Sequence, residues 1–494
     1  MPDTLTRLKA RLKDVHDLGM AGRLLEWDQL VMMPPAGGAG RAEHVATVQR
    51  IAHELFTDDE VGELLEELAP LEASLDPESV DASLIRVARR DWEKARRIPA
   101  TLQAELSRLS SSAIDAWAAA RAASDYAAFR PWLDRTLALK HEYIACFDVE
   151  EPYDALLDDY EQGMRTHEVR TVFDNIKPAL LELAANAEII ADEDFVHGFY
   201  GRKGQEDVSH AVALRFGLAA ESYRLDPTVH PFCLSLGAKD IRLTTRYAEA
   251  DLIGGSLFST MHEAGHGVYE NGIADELDGT LLAEGCSSIL HESQSRLWEN
   301  VVGRSLPFWR GFYPEMQAAF SETLGDVGLD RFYRVINRVN PSLIRVDADE
   351  TTYGLHVILR FELEQELLFG GLSTADLPEA WNARMKEYLG VDVPDDARGC
   401  LQDVHWAGGG FGYFPTYQLG NVVAAQIWNR LTSDIPDTDA QLERGDFTQI
   451  HGWLREHLYR LGRKFTPAET IERVAGGPID PEPYLAYLRA KNAG

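Results

Sequence analysis

The chain has 494 residues and carries 48 Lys and Arg against 80 Asp and Glu, a formal net charge of −32. Such a surface repels a phosphate backbone, which excludes a nucleic-acid binder as the first reading. At 45% hydrophobic and 26% charged residues, the composition suits a chain that buries a large core and excludes a disordered one.

The opening residues, MPDTLTRLKARLKDVHDLGM, space Leu5, Leu8, Leu12 and Val15 at helical intervals with charges between them. That pattern predicts an amphipathic helix and lacks the apolar core of a signal peptide. Helical spacing continues through residues 102–123 and 169–191, with breaks at 32–40, around Pro77 and at Pro99 where Pro and Gly gather. One zone reads as sheet, residues 228–246, in which β-branched and aromatic residues flank a turn at 237–239. Helical patterns resume through residue 330 and again at about 353–369. Residues 399–420 are rich in glycine and aromatics and read as a loop leading into another helix. From Phe447 onward three helical stretches are split by Pro467 and Pro478. No run of eighteen apolar residues predicts a membrane span.

Four cysteines, Cys146, Cys233, Cys286 and Cys400, lie too far apart in sequence for a C-x-x-C pair. With no export pattern they point to the cytoplasm. Ten of the 48 basic residues are Lys, leaving 38 Arg. Few lysines under a dense carboxylate surface suit a salt-rich cytosol, and a GC-rich genome gives the same bias.

The chemistry concentrates in FSTMHEAGHGVYENG, residues 258–272, which contains His262-Glu263-Ala264-Gly265-His266. Histidines at i and i+4 share a helix face and can bind one Zn²⁺, with Glu263 placed to act as general base toward zinc-activated water. A catalytic zinc needs a third protein ligand. Glu284, Glu292 and Glu299 all fall within one helical window, 283–300, and spacing alone does not choose among them. Glu292 is preferred because it sits mid-helix in an uncharged stretch, whereas the other two lie near the helix ends.

Further motifs occur in order along the chain: His230-Pro231-Phe232, Asp240-Ile241-Arg242-Leu243-Thr244, His291-Glu292-Ser293, Ile344-Arg345-Val346-Asp347-Ala348-Asp349, and the run from Gly399 to Trp406 that reads G-x-x-Q-D-x-H-W. In these and in its H-E-x-x-H the sequence resembles the carboxypeptidase Taq family of zinc metallocarboxypeptidases across its whole length. The resemblance implies a mainly α fold, a single large helical zincin-type domain over residues 1–494 with a deep active-site groove and one small β-sheet. In that reading residues 1–200 form the helical part of the groove and 201–494 carry the metal. It implies a homodimer that removes C-terminal amino acids from peptides with broad preference. One Zn²⁺ per chain, or Co²⁺, would be held by His262, His266 and Glu292. Position 296, four after Glu292, is Arg and not an acid able to orient a metal histidine, so Asp349 or Asp403 is expected to give that support.

An exopeptidase must also hold a free carboxylate, for which a buried bidentate arginine is suited. Arg345 is favoured over Arg242, because its segment falls just before a helix, and His230 and Tyr417 join them in the substrate-binding set. His405 and Tyr413 are expected to stabilise the developing oxyanion. Two other functions fit parts of the pattern: a zinc oligopeptidase or dipeptidyl-type peptidase cutting internal bonds, and a noncatalytic metal-stabilised protein. Glu263 argues against the second, since a structural site fills its fourth position.

Overall fold

The structure, a computed structural model, describes residues 2–191 and 193–492. The chain forms two compact units from interleaved segments. The first comprises Met1–Arg96, Asp192–Ile336 and Ile427–Pro478, and the second Arg97–Ala191, Asn337–Gln426 and Ile479–Gly494.

In the first unit a long helix, Pro2–Val31, buries Leu8 and Leu12 on one stripe against Leu64, Leu65 and Leu68. Those leucines belong to the helix Asp59–Glu72, whose cap, Asp58, accepts from the Glu60 amide. A three-stranded sheet supports the chemistry: β1 (Tyr223–Pro227), β2 (Cys233–Ser235) and β3 (Ile241–Thr245), in the order β1-β3-β2. β1 runs parallel to β3, pairing Tyr223 with Ile241, and β2 runs antiparallel to it, pairing Cys233 with Leu243. The sheet therefore starts at Tyr223, earlier than the expected zone.

Helix α1 (Ser256–Asn271) lies on β3 through Gly267, where a Cβ would come within 3.1 Å of both Ile241 and Leu243. Helix α2 (Ser288–Arg296) crosses α1 at Gly265, where a Cβ would stand 2.6 Å from the Gln294 carbonyl oxygen and Ser295 Cα. Any side chain there would push the helices apart. A buried chain of hydrogen bonds, Trp298 indole to Tyr459 hydroxyl at 3.1 Å and Tyr459 to Gln294 at 2.9 Å, fixes the other side of α2. α2 runs on into a wider π turn, Leu297–Val302.

The second unit contains the helices Ala100–Ala123, Tyr126–Ile144 and Thr166–Asn186, and it is organised around α3 (Glu350–Gln365), which is buried on nearly every face. Asp349 caps α3 by accepting from the Thr351 and Thr352 amides at 2.9 and 3.0 Å. The loop after Gly399 leads into α4 (Phe414–Asp434), whose residues up to Gln426 belong to this unit. The fold is mainly α with one small sheet. Among the described residues no helix is long and apolar enough to cross a membrane.

Candidate active site

One turn of α1 separates His262 from His266, so both rings leave the same face, and the close crossing at Gly265 brings Glu292 of α2 toward them. Glu292 Oε2 lies 3.9 Å from His262 Nε2 and 3.8 Å from His266 Nε2, and the ligand atoms of the three residues all fall within 4.8 Å of one another. Two imidazoles and a carboxylate are the donor set of a catalytic zinc site.

The fit to a metal is supported by what holds the other polar atoms. His262 Nδ1 is 2.9 Å from Glu299 Oε2. His266 Nδ1 is 3.0 Å from His291 Nδ1, and His291 Nε2 is in turn 2.7 Å from Glu270 Oε1. With each Nδ1 engaged, the Nε2 lone pairs are the ones left to face Glu292. Glu292 Oε1 accepts from Arg296 Nε at 2.6 Å, which leaves Oε2 toward the histidines. Gly285 completes the arrangement: its amide donates to Glu270 at 2.8 Å, and a Cβ there would meet the His291 ring at 2.5 Å.

The expectation that Asp349 or Asp403 supports the metal histidines is corrected by these contacts, because Glu299 and His291 hold those positions. Asp349 is occupied as the cap of α3, and Asp403 binds arginines in the second unit. Glu299 is not a solvated helix-end residue, since the π turn carries α2 onward and leaves its carboxyl among His262, Arg296 and Arg304. Burial works against its ionisation, but the His262 bond and the two arginines outweigh it and hold the carboxyl down at about 2. Glu284, the remaining candidate, is half-buried and pairs with Arg23 at 2.6 Å. Glu270 is a site residue that the sequence reading does not name, whereas Glu299 is named there only as a candidate ligand and Arg296 only as a position without an acid. Their signal is helical spacing, as Glu270 stands four after His266, and Arg296 and Glu299 stand four and seven after Glu292.

Glu263 is buried, with 6% of its surface exposed. Burial, opposed by His262 and reinforced by Glu292 and Glu299, pushes its carboxyl up to about 7. In the same unit Arg242 pairs through Nε and Nη2 with Asp240 and lies 4.9 Å from the Trp27 ring centre, as Arg224 does. His230 is exposed on the loop between β1 and β2.

Arg345, His405, Tyr413 and Tyr417 gather in the second unit. Arg345 Nε and Nη2 donate to Asp403 Oδ1 at 3.1 and 2.8 Å, and Nη1 donates to the Tyr353 hydroxyl at 2.9 Å. The other Asp403 oxygen accepts from Arg360 Nε at 2.7 Å. Against the pull of burial, the two arginines hold the Asp403 carboxyl far below the usual carboxylate range. His405 Nε2 is 3.2 Å from the Tyr417 hydroxyl, and its ring stacks with Tyr413 at 5.6 Å between centres. Burial and the arginines outweigh Asp403 and push the imidazole down to about 4, so it is neutral near pH 7.

A helical fold bearing an H-E-x-x-H helix and a converging glutamate defines the chain as a metallopeptidase in class. The pattern of the carboxypeptidase Taq (M32) metallopeptidases matches residues 7–492. Thermostable carboxypeptidase 1 of Thermus thermophilus is 41% identical over 489 residues, covering 96% of each chain. Carboxypeptidase 1 of Bacillus subtilis is 36% identical, covering 97% of this chain and 96% of that one. The crystal structure of the M32 carboxypeptidase from Deinococcus radiodurans superposes with a TM-score of 0.96 at 39% identity, covering 99% of both chains. The chain belongs to the carboxypeptidase Taq (M32) family, and it is a metallocarboxypeptidase.

Proposed function

We propose that the enzyme uses one Zn²⁺ per chain, held by His262, His266 and Glu292, to release C-terminal amino acids from peptides with broad preference; Co²⁺ suits the same donors. The observation that carries this reading is the convergence of two Nε2 atoms and one carboxylate oxygen whose neighbouring polar atoms are already engaged. When bound, the metal supplies Lewis-acid charge for the scissile carbonyl and acidifies water. Glu263 takes the proton from the attacking water and passes it to the leaving amine. His405 and Tyr413 donate to the oxygen on which negative charge develops.

Arg345 takes the terminal carboxylate. Three of its five N–H groups are engaged, and one Asp403 serves two buried arginines, so an excess of positive charge remains there. Arg242, by contrast, has Asp240 to itself, and it completes the binding set with His230 and Tyr417. The chain functions as one metallocarboxypeptidase domain. The homodimer implied by the resemblance and the cytoplasmic location suggested by the free cysteines belong to the same reading, and are tested by sedimentation and by fractionation of cells.

The test of the function is release of amino acids from one peptide with a free and with an amidated C terminus, with metal analysis of the same preparation. Cleavage that requires the free carboxylate and tracks zinc content is expected. Equal internal cleavage of both peptides would make the enzyme an oligopeptidase.

A further inference from the structure

Glu364, on α3, is fully buried, and its carboxylate receives three hydrogen bonds. The Trp406 indole donates to Oε1 at 2.7 Å, and the Gly412 amide donates to Oε2 at 2.9 Å together with the Tyr153 hydroxyl. Trp406 and Gly412 are the two ends of the turn 406–412, and the residues just outside those ends are His405 and Tyr413. The turn reads WAGGGFG, so the indole is its only side chain that can hydrogen-bond. The turn carries backbone hydrogen bonds of its own, from the Gly409 amide to the Trp406 carbonyl at 3.1 Å and from the Gly410 amide to the His405 carbonyl at 2.7 Å, while Glu364 bridges its two ends, Trp406 and Gly412. Gly412 itself is at φ +84°, and a Cβ there would stand 2.8 Å from the Leu156 backbone, so the amide that reaches Glu364 belongs to a residue only glycine can replace without strain.

We propose that Glu364 is a positioning residue for peptide hydrolysis, gripping both ends of the 406–412 turn and thereby setting the spacing of His405 and Tyr413. The inference rests on the oxyanion roles given to those two residues above. A carboxylate fits this task where an amide does not. Each Glu364 oxygen accepts a donor, so a glutamine turned either way presents its own N–H to another N–H or O–H.

The test is a double-mutant cycle on the zinc-loaded enzyme with a free-carboxylate peptide. Glu364→Gln is expected to keep its metal and to lower kcat about tenfold to a hundredfold with little change in KM, the cost of misplacing groups that act in the transition state. Added to His405→Gln or Tyr413→Phe, it is expected to cost much less than it does alone, because the interaction it positions is already gone. Trp406→Phe removes one of the three donors and leaves Glu364 paired by two. It is expected to show the same coupling with a smaller loss, and it carries the test if Glu364→Gln does not fold. Wild-type kcat in Glu364→Gln or in Trp406→Phe, or losses that multiply, overturns the proposal while leaving the oxyanion reading standing. Silent His405→Gln and Tyr413→Phe variants overturn that reading and this proposal with it.

Discussion

In the first unit the histidine Nε2 atoms and a Glu292 oxygen face one another at 3.8 and 3.9 Å with every supporting atom tied back, whereas in the second unit Arg345 and Arg360 both bind Asp403 directly. The same physical problem, charge removed from water, thus has two solutions. A set of lone pairs facing inward is incomplete until a cation joins it. A carboxylate shared by two guanidinium groups is already paired, and what it leaves over is a net positive charge. The first arrangement needs a cation to complete it, and the second holds its own shape while leaving one positive charge over, so variants should separate them by what is lost.

The largest effect is expected at Glu263, which lies among the first set without closing it. Glu263→Gln should retain stoichiometric metal and lose ~10²–10⁴-fold in turnover, the usual contribution of general acid–base catalysis. Metal content and kcat measured on one preparation decide this, and a metal-loaded variant with substantial activity would remove Glu263 from its role. In the second unit the loss should appear in stability. Asp403→Asn leaves two buried arginines without their counter-charge, a change that typically costs about 3–5 kcal/mol. The urea midpoint measures it, and a midpoint near wild type would mean that water reaches this cluster.

Glu364 sharpens the contrast within the second unit, because it is more deeply buried than Asp403 and its direct partners are neutral. Burial pushes its carboxyl up to about 7, against the lowering effect of Tyr153, the Gly412 amide, Trp406 and Lys140, with Tyr160 also nearby. A folded value above the unfolded one means that the native state holds the proton longer. Stability contributed by the protonated group is therefore present below about 4.5 and is lost as the pH rises through about 7. One such group gives a slope of up to about 1.4 kcal/mol per pH unit inside that window. Chemical denaturation from pH 4 to 8 should show this component in the wild type and not in Glu364→Gln.

The difference between the units also explains what is legible in the sequence. Helices show through their apolar spacing, as at 102–123, observed as Ala100–Ala123, and at 353–369, observed as Glu350–Gln365 followed by a π turn. β1 does not show, because Arg224, Asp226 and Pro227 hide an edge strand that pairs in parallel and needs no hairpin turn. The histidine pair is visible since its geometry is set by one helical turn. Glu299 is misread because the apparent helix end is the start of a π turn that continues the helix. Asp349 and Asp403 are misread for another reason. Which of several acids reaches a given imidazole depends on which helices cross, and that crossing is decided at Gly265, whose lack of a side chain carries no mark of its partner.

Glu299 and His291 test the first arrangement from behind. Removing a group that orients a metal histidine typically costs about 10–100-fold in metal affinity. Glu299→Ala and His291→Ala should each weaken zinc retention in competition with a chelator by that factor, while Glu284→Ala, whose partner is Arg23, should leave it unchanged. An equal loss in Glu284→Ala would mean that overall charge, and not contact with the imidazoles, governs retention.

The smallest effect is expected where neither arrangement operates, on the surface. Pairs such as Lys13–Asp17 and Arg50–Glu54 are largely exposed, and contacts of that kind contribute only about 0–1 kcal/mol each. They are set against a net charge of −32, whose self-repulsion is screened over about 3 Å in molar salt and about 30 Å at 10 mM. If the surface is adapted to salt, repulsion outweighs the attractive pairs as screening is withdrawn, and the thermal midpoint falls by a few degrees between 1 M and 10 mM KCl. Asp403 is shielded from solvent and should respond little, so the stability cost of Asp403→Asn should be nearly the same at both salt concentrations. A midpoint flat in salt would assign the shortage of lysine to codon usage. A cost of Asp403→Asn that shrinks in molar salt would instead place that cluster within reach of counterions, and the contrast between a shielded interior and a screened surface would fail there.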